Sequence, residues 1–160
     1  MKDREPSDER FRLVVESAPN AMIMVDQSGR IVLVNAQTEK LFGYTRQEIL
    51  GQSIEMLVPE RFRGHRPGHR NSFFADPHAR SMGAGRDLYG LRKDGSEVPV
   101  EIGLNPIQTS EGTLVLAAVV DITERQRAEE RFRVAVEAAP SAMLMVDEGG
   151  KIVLVNAQSE

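Results

Sequence analysis

A long internal repeat constrains this chain more than any other feature of its sequence. Residues 11–39 read FRLVVESAPNAMIMVDQSGRIVLVNAQTE, and residues 132–160 read FRVAVEAAPSAMLMVDEGGKIVLVNAQSE. The offset is 132 − 11 = 121 residues without a gap, and 20 of the 29 paired positions are identical. Solenoid repeats usually have periods of roughly 20–50 residues, so this longer period indicates tandem domains. We expect one complete domain followed by the first part of a second copy.

The composition excludes several classes of function. Of the 160 residues, 41% are hydrophobic and 28% are charged, and the formal net charge is −4, so we expect a globular domain without a nucleic-acid partner. The absence of cysteine excludes disulfides, zinc–thiolate sites and cysteine nucleophiles. The charged N-terminus lacks the apolar region of a signal peptide, and every apolar run is shorter than the roughly 20 residues that span a bilayer. We therefore predict a cytoplasmic location, no membrane contact and no metal site.

The order of local signals predicts an α+β domain. Pro6-Ser7, followed by acidic residues, predicts an amphipathic helix that ends near Ser17. The apolar runs AMIMV and RIVLV are joined by Asp26-Gln27-Ser28-Gly29, which is typical of a β-hairpin. Short helices follow, and the Lys93-Asp94-Gly95 turn and the apolar run TLVLAAVVDI then indicate three more strands. A second amphipathic helix is predicted from Thr123 to about Glu137.

Three sets of residues have the chemistry of helix caps. Asn35 directly precedes a predicted short helix, where its side chain can accept a hydrogen bond from a backbone amide of the first turn. Thr45 and Glu48 have the spacing of a capping box. Thr123 and Gln126 repeat that spacing at the start of the last helix. We therefore expect each of these helices to begin at a defined residue.

Apolar seams on the two longer helices predict self-association. Each helix carries apolar residues beyond what one sheet can cover, so we predict a homodimer in which these helices form a coiled coil. The predicted boundaries are an N-terminal helix at 1–18, a domain at 19–122, a connecting helix at 123–138 and the start of the second copy at 139–160. Two strands alone are marginally stable, so this last segment is either a frayed tail or a pair of strands exchanged into a neighbouring molecule.

Four segments together resemble the PAS family of sensory domains. They are SAPNAMIMVDQSGRIVLVNAQTEKLFGY, TRQEILGQSIEMLVPERFR, LRKDGSEVPVEI and DITERQ, and they extend over about residues 10–126. The resemblance implies a five-stranded antiparallel sheet with short helices on one face, enclosing a small pocket. It also implies a sensor in signal transduction, commonly placed before the histidine kinase of a two-component system. We therefore predict a regulatory module and not an enzyme.

The DITE segment is the first candidate site. In the PAS family, the residues at the end of the last strand transmit a change in the core to the outgoing helix, and here these are Asp121, Thr123 and Gln126. The alternative is that they only cap that helix.

A pocket in the core is the second candidate site. We expect it to be lined by Met22, Met24, Leu41, Phe42, Phe73, Phe74 and Arg86. Methionine adapts to ligands of varied shape, which suits an unknown small-molecule ligand. The alternative is that most of these apolar side chains simply pack the core.

The basic stretch RFRGHRPGHR is the third candidate site. His65, Arg66, His69 and Arg70 can receive an anionic ligand or the propionates of heme, or they can form a solvated basic face. The chain is similar to the heme-PAS oxygen-sensor kinases of rhizobia, and that resemblance implies that Arg86 in GAGR faces a bound gas. The position of the family's iron ligand corresponds to Gly64 or Arg66, so the expected ligand, if heme binds, is the neighbouring His65 or His69. Pro67-Gly68 interrupts the helix that would carry such a ligand. The flavin adduct of light-sensing PAS domains is excluded, because it requires a cysteine.

Two classes of function remain open from the sequence. A ligand-responsive sensor requires a pocket that can be occupied. A structural dimerisation relay between domains requires only the helices and a filled core.

Overall fold

The computed structural model describes residues 6–63, 80–82 and 88–156, which belong to two compact units, Met1–Ile122 and Thr123–Glu160. In the first unit, the helices and strands follow the order expected from the sequence. In chain order they are α1 (Pro6–Ser17), β1 (Ala21–Val25), β2 (Ile31–Val34), α2 (Ala36–Phe42), α3 (Arg46–Ile49), a 3-10 helix (Ile54–Leu57), α4 (Glu60–Arg63), β3 (Arg80–Met82), β4 (Tyr89–Leu91), β5 (Glu97–Thr109) and β6 (Gly112–Asp121).

The strands of the first unit form an antiparallel sheet in the order β2-β1-β6-β5-β3, and β4 also pairs with β5. Val100 of β5 pairs with Asp121 of β6. The amide of Val100 points the other way and donates to the carbonyl of Leu88 at 2.9 Å. The segment next to β4 therefore lies on the edge of β5 opposite to β6. Two short strands, β3 and β4, thus share the fifth position, and the predicted five-stranded antiparallel sheet is confirmed.

One face of this sheet carries the core. Alternate residues of the strands, such as Ile23, Val98 and Val115, pack with Phe42 of α2 and Ile49 of α3 in one buried cluster. This is the alternation expected of strands with one covered face. The short helices therefore cover the face on which a PAS pocket is expected.

The second unit consists of one helix and one hairpin in its described residues. Its elements are α5 (Thr123–Glu137), β7 (Leu144–Val146) and β8 (Ile152–Val155). The two strands pair in an antiparallel manner, so the described part of this segment is a formed hairpin and not a frayed tail. The carboxylate of Asp147 accepts from the amides of Gly149 and Lys151, both at 2.9 Å, which stabilises the turn.

Candidate functional site

Asn35 joins the hairpin to the helices on both sides of it. Its side-chain Oδ1 accepts from the amide of Thr38 at 3.1 Å, which caps α2 as the sequence predicts. The same oxygen accepts from the amide of Met22 at 3.0 Å. Its Nδ2 donates to the carbonyls of Val15 at 2.8 Å and Asn20 at 2.9 Å. Asn35 is fully buried, so this one carboxamide holds the end of α1 against β1 and α2.

The predicted capping box of α3 is complete. The amide of Glu48 donates to Thr45 Oγ1 at 3.3 Å, and the amide of Thr45 donates to Glu48 Oε2 at 2.7 Å. Lys93 Nζ donates to the other carboxylate oxygen of Glu48 at 2.6 Å. The hydrogen bond from Lys93, together with that from the Thr45 amide, lowers the pKa of Glu48. The cap is therefore also a contact between α3 and the β4–β5 turn.

The β4–β5 turn lies against the C-terminal end of α2. The amide of Lys93 donates to the carbonyl of Phe42 at 2.9 Å. Arg92 Nε donates to the carbonyl of Leu41 at 3.0 Å. Both acceptors belong to the last turn of α2, where carbonyls lack partners within the helix. The turn is therefore attached to the C-terminal end of α2 by two hydrogen bonds.

The same arginine reaches the end of the last strand. Arg92 Nη2 lies 4.0 Å from Asp121 Oδ2, and both side chains are partly exposed. The amide of Ile122 donates to the carbonyl of Pro99 at 3.0 Å, which continues the β5–β6 ladder past Asp121. Arg92 was not among the residues predicted from the sequence. Its position beside the Lys93-Asp94-Gly95 turn is the only sequence signal that points to it.

The predicted signal residues lie at the junction between β6 and α5. Asp121 is the last residue of β6, and α5 begins at Thr123, with Gln126 in its first turn. The capping box of Thr123 and Gln126 stays a prediction from the sequence.

The structure brings together only part of the predicted pocket. Phe42 belongs to the buried core cluster, and Leu41 packs against it. Met22 and Met24 alternate along β1 with Ile23 and are absent from that cluster, so the structure does not bring them to the face that holds Leu41 and Phe42. Phe73, Phe74 and Arg86 lie outside the residues whose side chains the structure describes.

Gly90 of β4 lies directly against the Phe42 ring. A Cβ atom placed on Gly90 of β4 would lie 2.7 Å from Cε1 of Phe42 and 3.4 Å from Cγ1 of Val98. Real Cβ atoms are not found at the shorter of these distances. The absence of a side chain at residue 90 therefore allows the Phe42 ring to lie directly on β4.

The beginning of the basic stretch is anchored to β5. The guanidinium of Arg61 donates two hydrogen bonds to the carboxylate of Glu97, both at 2.6 Å. This bidentate contact lowers the pKa of Glu97. Arg63 Nε donates to the carbonyl of Val58 at 2.9 Å. The remaining candidates of this stretch, His65, Arg66, His69 and Arg70, lie outside the described residues.

A groove that the sequence did not predict lies beside β2. Its volume is about 240 Å³. It is lined by Arg12, Val15, Glu16, Val32, Leu33, Val34, Arg46 and Leu50. Two of its lining residues, Arg46 and Glu16, form an ion pair. Within the described parts of the chain, no helix is long and apolar enough to cross a membrane, and no three acidic, histidine or cysteine side chains form a possible metal cluster.

Comparison with protein families gives two matches. A family described as PAS domain matches residues 19–124, and a second family with the same description matches residues 130–160. The first match covers most of the first unit. The second begins inside α5 and includes the β7–β8 hairpin.

Curated relatives include proteins named as sensors and kinases. The sensor protein FixL of Bradyrhizobium diazoefficiens is 30% identical over 77% of this chain and 24% of its own length. The oxygen sensor protein DosP of Escherichia coli is 26% identical over 94% of this chain and 19% of its length. The cell-division control histidine kinase PdhS of Brucella ovis is 24% identical over 84% of this chain and 13% of its length. The chain thus spans less than a quarter of each of these relatives.

A solved structure has the same fold. The PAS domain of an HTR-like protein from Haloarcula marismortui superposes with a TM-score of 0.61 at 26% identity. The match covers 72% of this chain and 92% of that one.

Proposed function

Because the chain belongs to the PAS domain family, we propose that its first unit is a sensory module that binds a small molecule in its core and signals through Asp121 to α5. The observation that carries this proposal is the position of Arg92. One side chain contacts both the carbonyl of Leu41 and the carboxylate of Asp121. A change in the core and a change at the exit of the domain are therefore linked through one guanidinium.

The input side of this path is the C-terminal end of α2. Phe42 is buried in the core cluster, so a ligand that enters the core has to displace or contact its ring. The carbonyl of Phe42 accepts from the amide of Lys93, and the ring lies against Gly90. Movement of Phe42 is therefore passed to β4 and to the turn that follows it.

The output side is the junction of β6 and α5. The carboxylate of Asp121 lies at the last ladder position, and only Ile122 separates it from the helix. A short junction transmits a rotation because it has few torsion angles that can absorb it. We assign Thr123 and Gln126, in the first turn of α5, to the transmission of this rotation.

We assign the output to a separate domain, such as the histidine kinase of a two-component system, in a cytoplasmic protein. PdhS is named a histidine kinase, and FixL a sensor protein, which supports this assignment. No catalytic step is assigned to the PAS module itself. Sensing of a gas through heme is a lesser alternative, supported by the similarity to DosP, which is named an oxygen sensor.

A ligand-free dimerisation relay is the second candidate function. It is favoured by apolar side chains that stand out from both long helices. Leu13 of α1 is 68% exposed and Val134 of α5 is 56% exposed. Such residues on amphipathic helices support a homodimer held by a coiled coil.

Native mass spectrometry of the untreated purified chain separates these functions. A mass above that of the polypeptide, retained on the protein under gentle conditions, is the result expected for a sensor. Its value distinguishes heme from a smaller metabolite. A dimer without added mass, and without a shift in unfolding temperature in a screen of small metabolites, would contradict ligand sensing and favour the relay.

A further inference from the structure

Asn156 repeats in the second unit three of the side-chain hydrogen bonds that Asn35 forms in the first. Its Nδ2 donates to the carbonyls of Val136 at 2.9 Å and Ser141 at 3.0 Å. Its Oδ1 accepts from the amide of Met143 at 2.9 Å. Asn156 is fully buried although most of the hairpin around it is exposed. The carboxamide therefore attaches the end of α5 to the segment that leads into β7.

The correspondence with the first unit holds for these three hydrogen-bond partners. Adding the repeat offset of 121 to residues 15, 20, 22 and 35 gives 136, 141, 143 and 156. In both units the donor distances to the two carbonyls agree within about 0.1 Å. The end of the helix is also the same, since Ala139 donates to Val136 at 3.2 Å and Ala18 donates to Val15 at 3.3 Å.

These contacts give α5 two structural roles. By its sequence position it is the exit helix of the first unit, because it begins two residues after Asp121. By its hydrogen bonds it is the counterpart of α1, that is, the N-terminal helix of a second PAS unit. We propose that α5 is shared between the two units and that Asn156 is the positioning residue that delivers a movement of α5 to the second PAS unit of the same chain.

A carboxamide is well suited to this role. Its donor and acceptor groups contact different elements, so the register of the helix relative to the hairpin is set by three directional bonds. Leaving a buried carboxamide without these partners is unfavourable, so the helix and hairpin move together. This inference rests on the proposed function for one step, namely that the movement of α5 begins at Asp121.

The first test is hydrogen exchange of the full chain, comparing Asn156→Ala with Asn35→Ala. We expect Asn156→Ala to raise the exchange rates of the Ala138, Ala139 and Met143 amides by about tenfold or more, the effect of losing hydrogen bonds of ordinary strength. Asn35→Ala is the control, because it removes the corresponding three bonds from the first unit together with the cap of α2. It should accelerate exchange near Ala18 and Met22 and leave the second unit unchanged. Unchanged exchange at Ala138 and Ala139 in Asn156→Ala would overturn the proposal.

A second variant covers the case in which the hairpin of Asn156→Ala unfolds entirely. Asn156→Asp keeps an acceptor for the Met143 amide but places a carboxylate oxygen against the carbonyls of Val136 and Ser141. We expect the end of α5 to exchange faster in this variant while the Met143 amide stays protected. Equal acceleration at both places would show that the hairpin and the helix are not attached through the two separate groups of one side chain.

A double-mutant experiment separates positioning from a merely structural role. Asp121→Ala should change the exchange rate of the Asp147 amide, whose hydrogen bond to the carbonyl of Lys151 does not involve Asn156, when Asn156 is present, and should have no effect on it in the Asn156→Ala background. Equal effects in both backgrounds would overturn the relay through Asn156. The absence of a ligand in native mass spectrometry would contradict sensing but would leave these exchange rates unchanged, so the two proposals fail separately.

Discussion

The carboxylate of Asp121 lies 4.0 Å from the guanidinium of Arg92, which in turn holds the last turn of α2 through the carbonyl of Leu41. Asp121 ends the last strand of the sheet, and Leu41 packs against the core. The contact therefore connects the core with the place where the chain leaves the domain. It is long for an ion pair and partly exposed, so it contributes little to stability and can be broken without unfolding the sheet.

Asp121→Ala is expected to uncouple α5 from the core while the first unit stays folded. The free energy of unfolding should fall by about 1 kcal/mol or less, because a partly exposed ion pair is worth no more. Hydrogen exchange at residues 123–127 should increase, since the junction loses its contact with Arg92. Glu111→Ala, in the β5–β6 turn, is the control for loss of one carboxylate. A cooperative loss of the fold in Asp121→Ala would mean that Asp121 only caps and stabilises.

Gly90→Ala is expected to displace the Phe42 ring. The added methyl group would lie 2.7 Å from Cε1 of Phe42, and overpacking of this kind costs about 1–3 kcal/mol. Gly103→Ala is the matched control, because it also lies in a strand and its added methyl group has no neighbour within 4 Å. Urea unfolding should show a clear loss of stability for Gly90→Ala and little change for Gly103→Ala. Equal stability of the two variants would contradict the close packing of Phe42 on β4.

Glu97 is expected to make stability depend on pH in the acid range. The hydrogen bonds from Arg61 lower its pKa in the folded state below the ordinary value of 4.5, so its contribution is present above that value. The contribution is lost as the pH falls through the folded-state pKa. The natural chain should therefore be more stable than Glu97→Gln at neutral pH, and the difference should shrink in acid. A difference that does not vary with pH in urea unfolding would contradict the pairing.

Leu13→Asn is expected to weaken self-association. Leu13 is 68% exposed on α1, so the substitution removes apolar surface from the proposed helical seam without opening a cavity. Sedimentation velocity should show a larger monomer fraction than for the natural chain at equal concentration. Lys40→Asn, at an exposed position of α2, is the control and should leave the sedimentation coefficient unchanged. A monomeric natural chain at high concentration would contradict the dimer itself.

The helix caps show which contacts can be predicted from local sequence. Asn35, Thr45 and Glu48 were predicted as cap residues, and the structure contains the expected hydrogen bonds. These bonds join residues no more than three positions apart, so the spacing in the sequence is sufficient. The bond from Asn35 to Val15 joins residues 20 positions apart and was not predicted from spacing.

The methionines of β1 show where a local pattern is ambiguous. AMIMV is apolar at every position, so the sequence predicts a strand without indicating which side faces the core. Pairing of β1 with both β2 and β6 places Ile23 in the core cluster and leaves Met22 and Met24 outside it. The pairing of β1 in the sheet therefore determines which of its side chains face the core, and their hydrophobicity does not.

The sequence by itself determined the repeat, the order of helices and strands, the turns and the caps, because each depends on neighbouring residues or on direct similarity between two segments. Only the tertiary structure decided that Arg92 contacts Leu41, 51 positions away, and Asp121. It also decided that Asn156 attaches the end of α5 to the segment that leads into β7. Such contacts depend on how strands and helices pack, because their partners are distant in the chain and local spacing does not specify them.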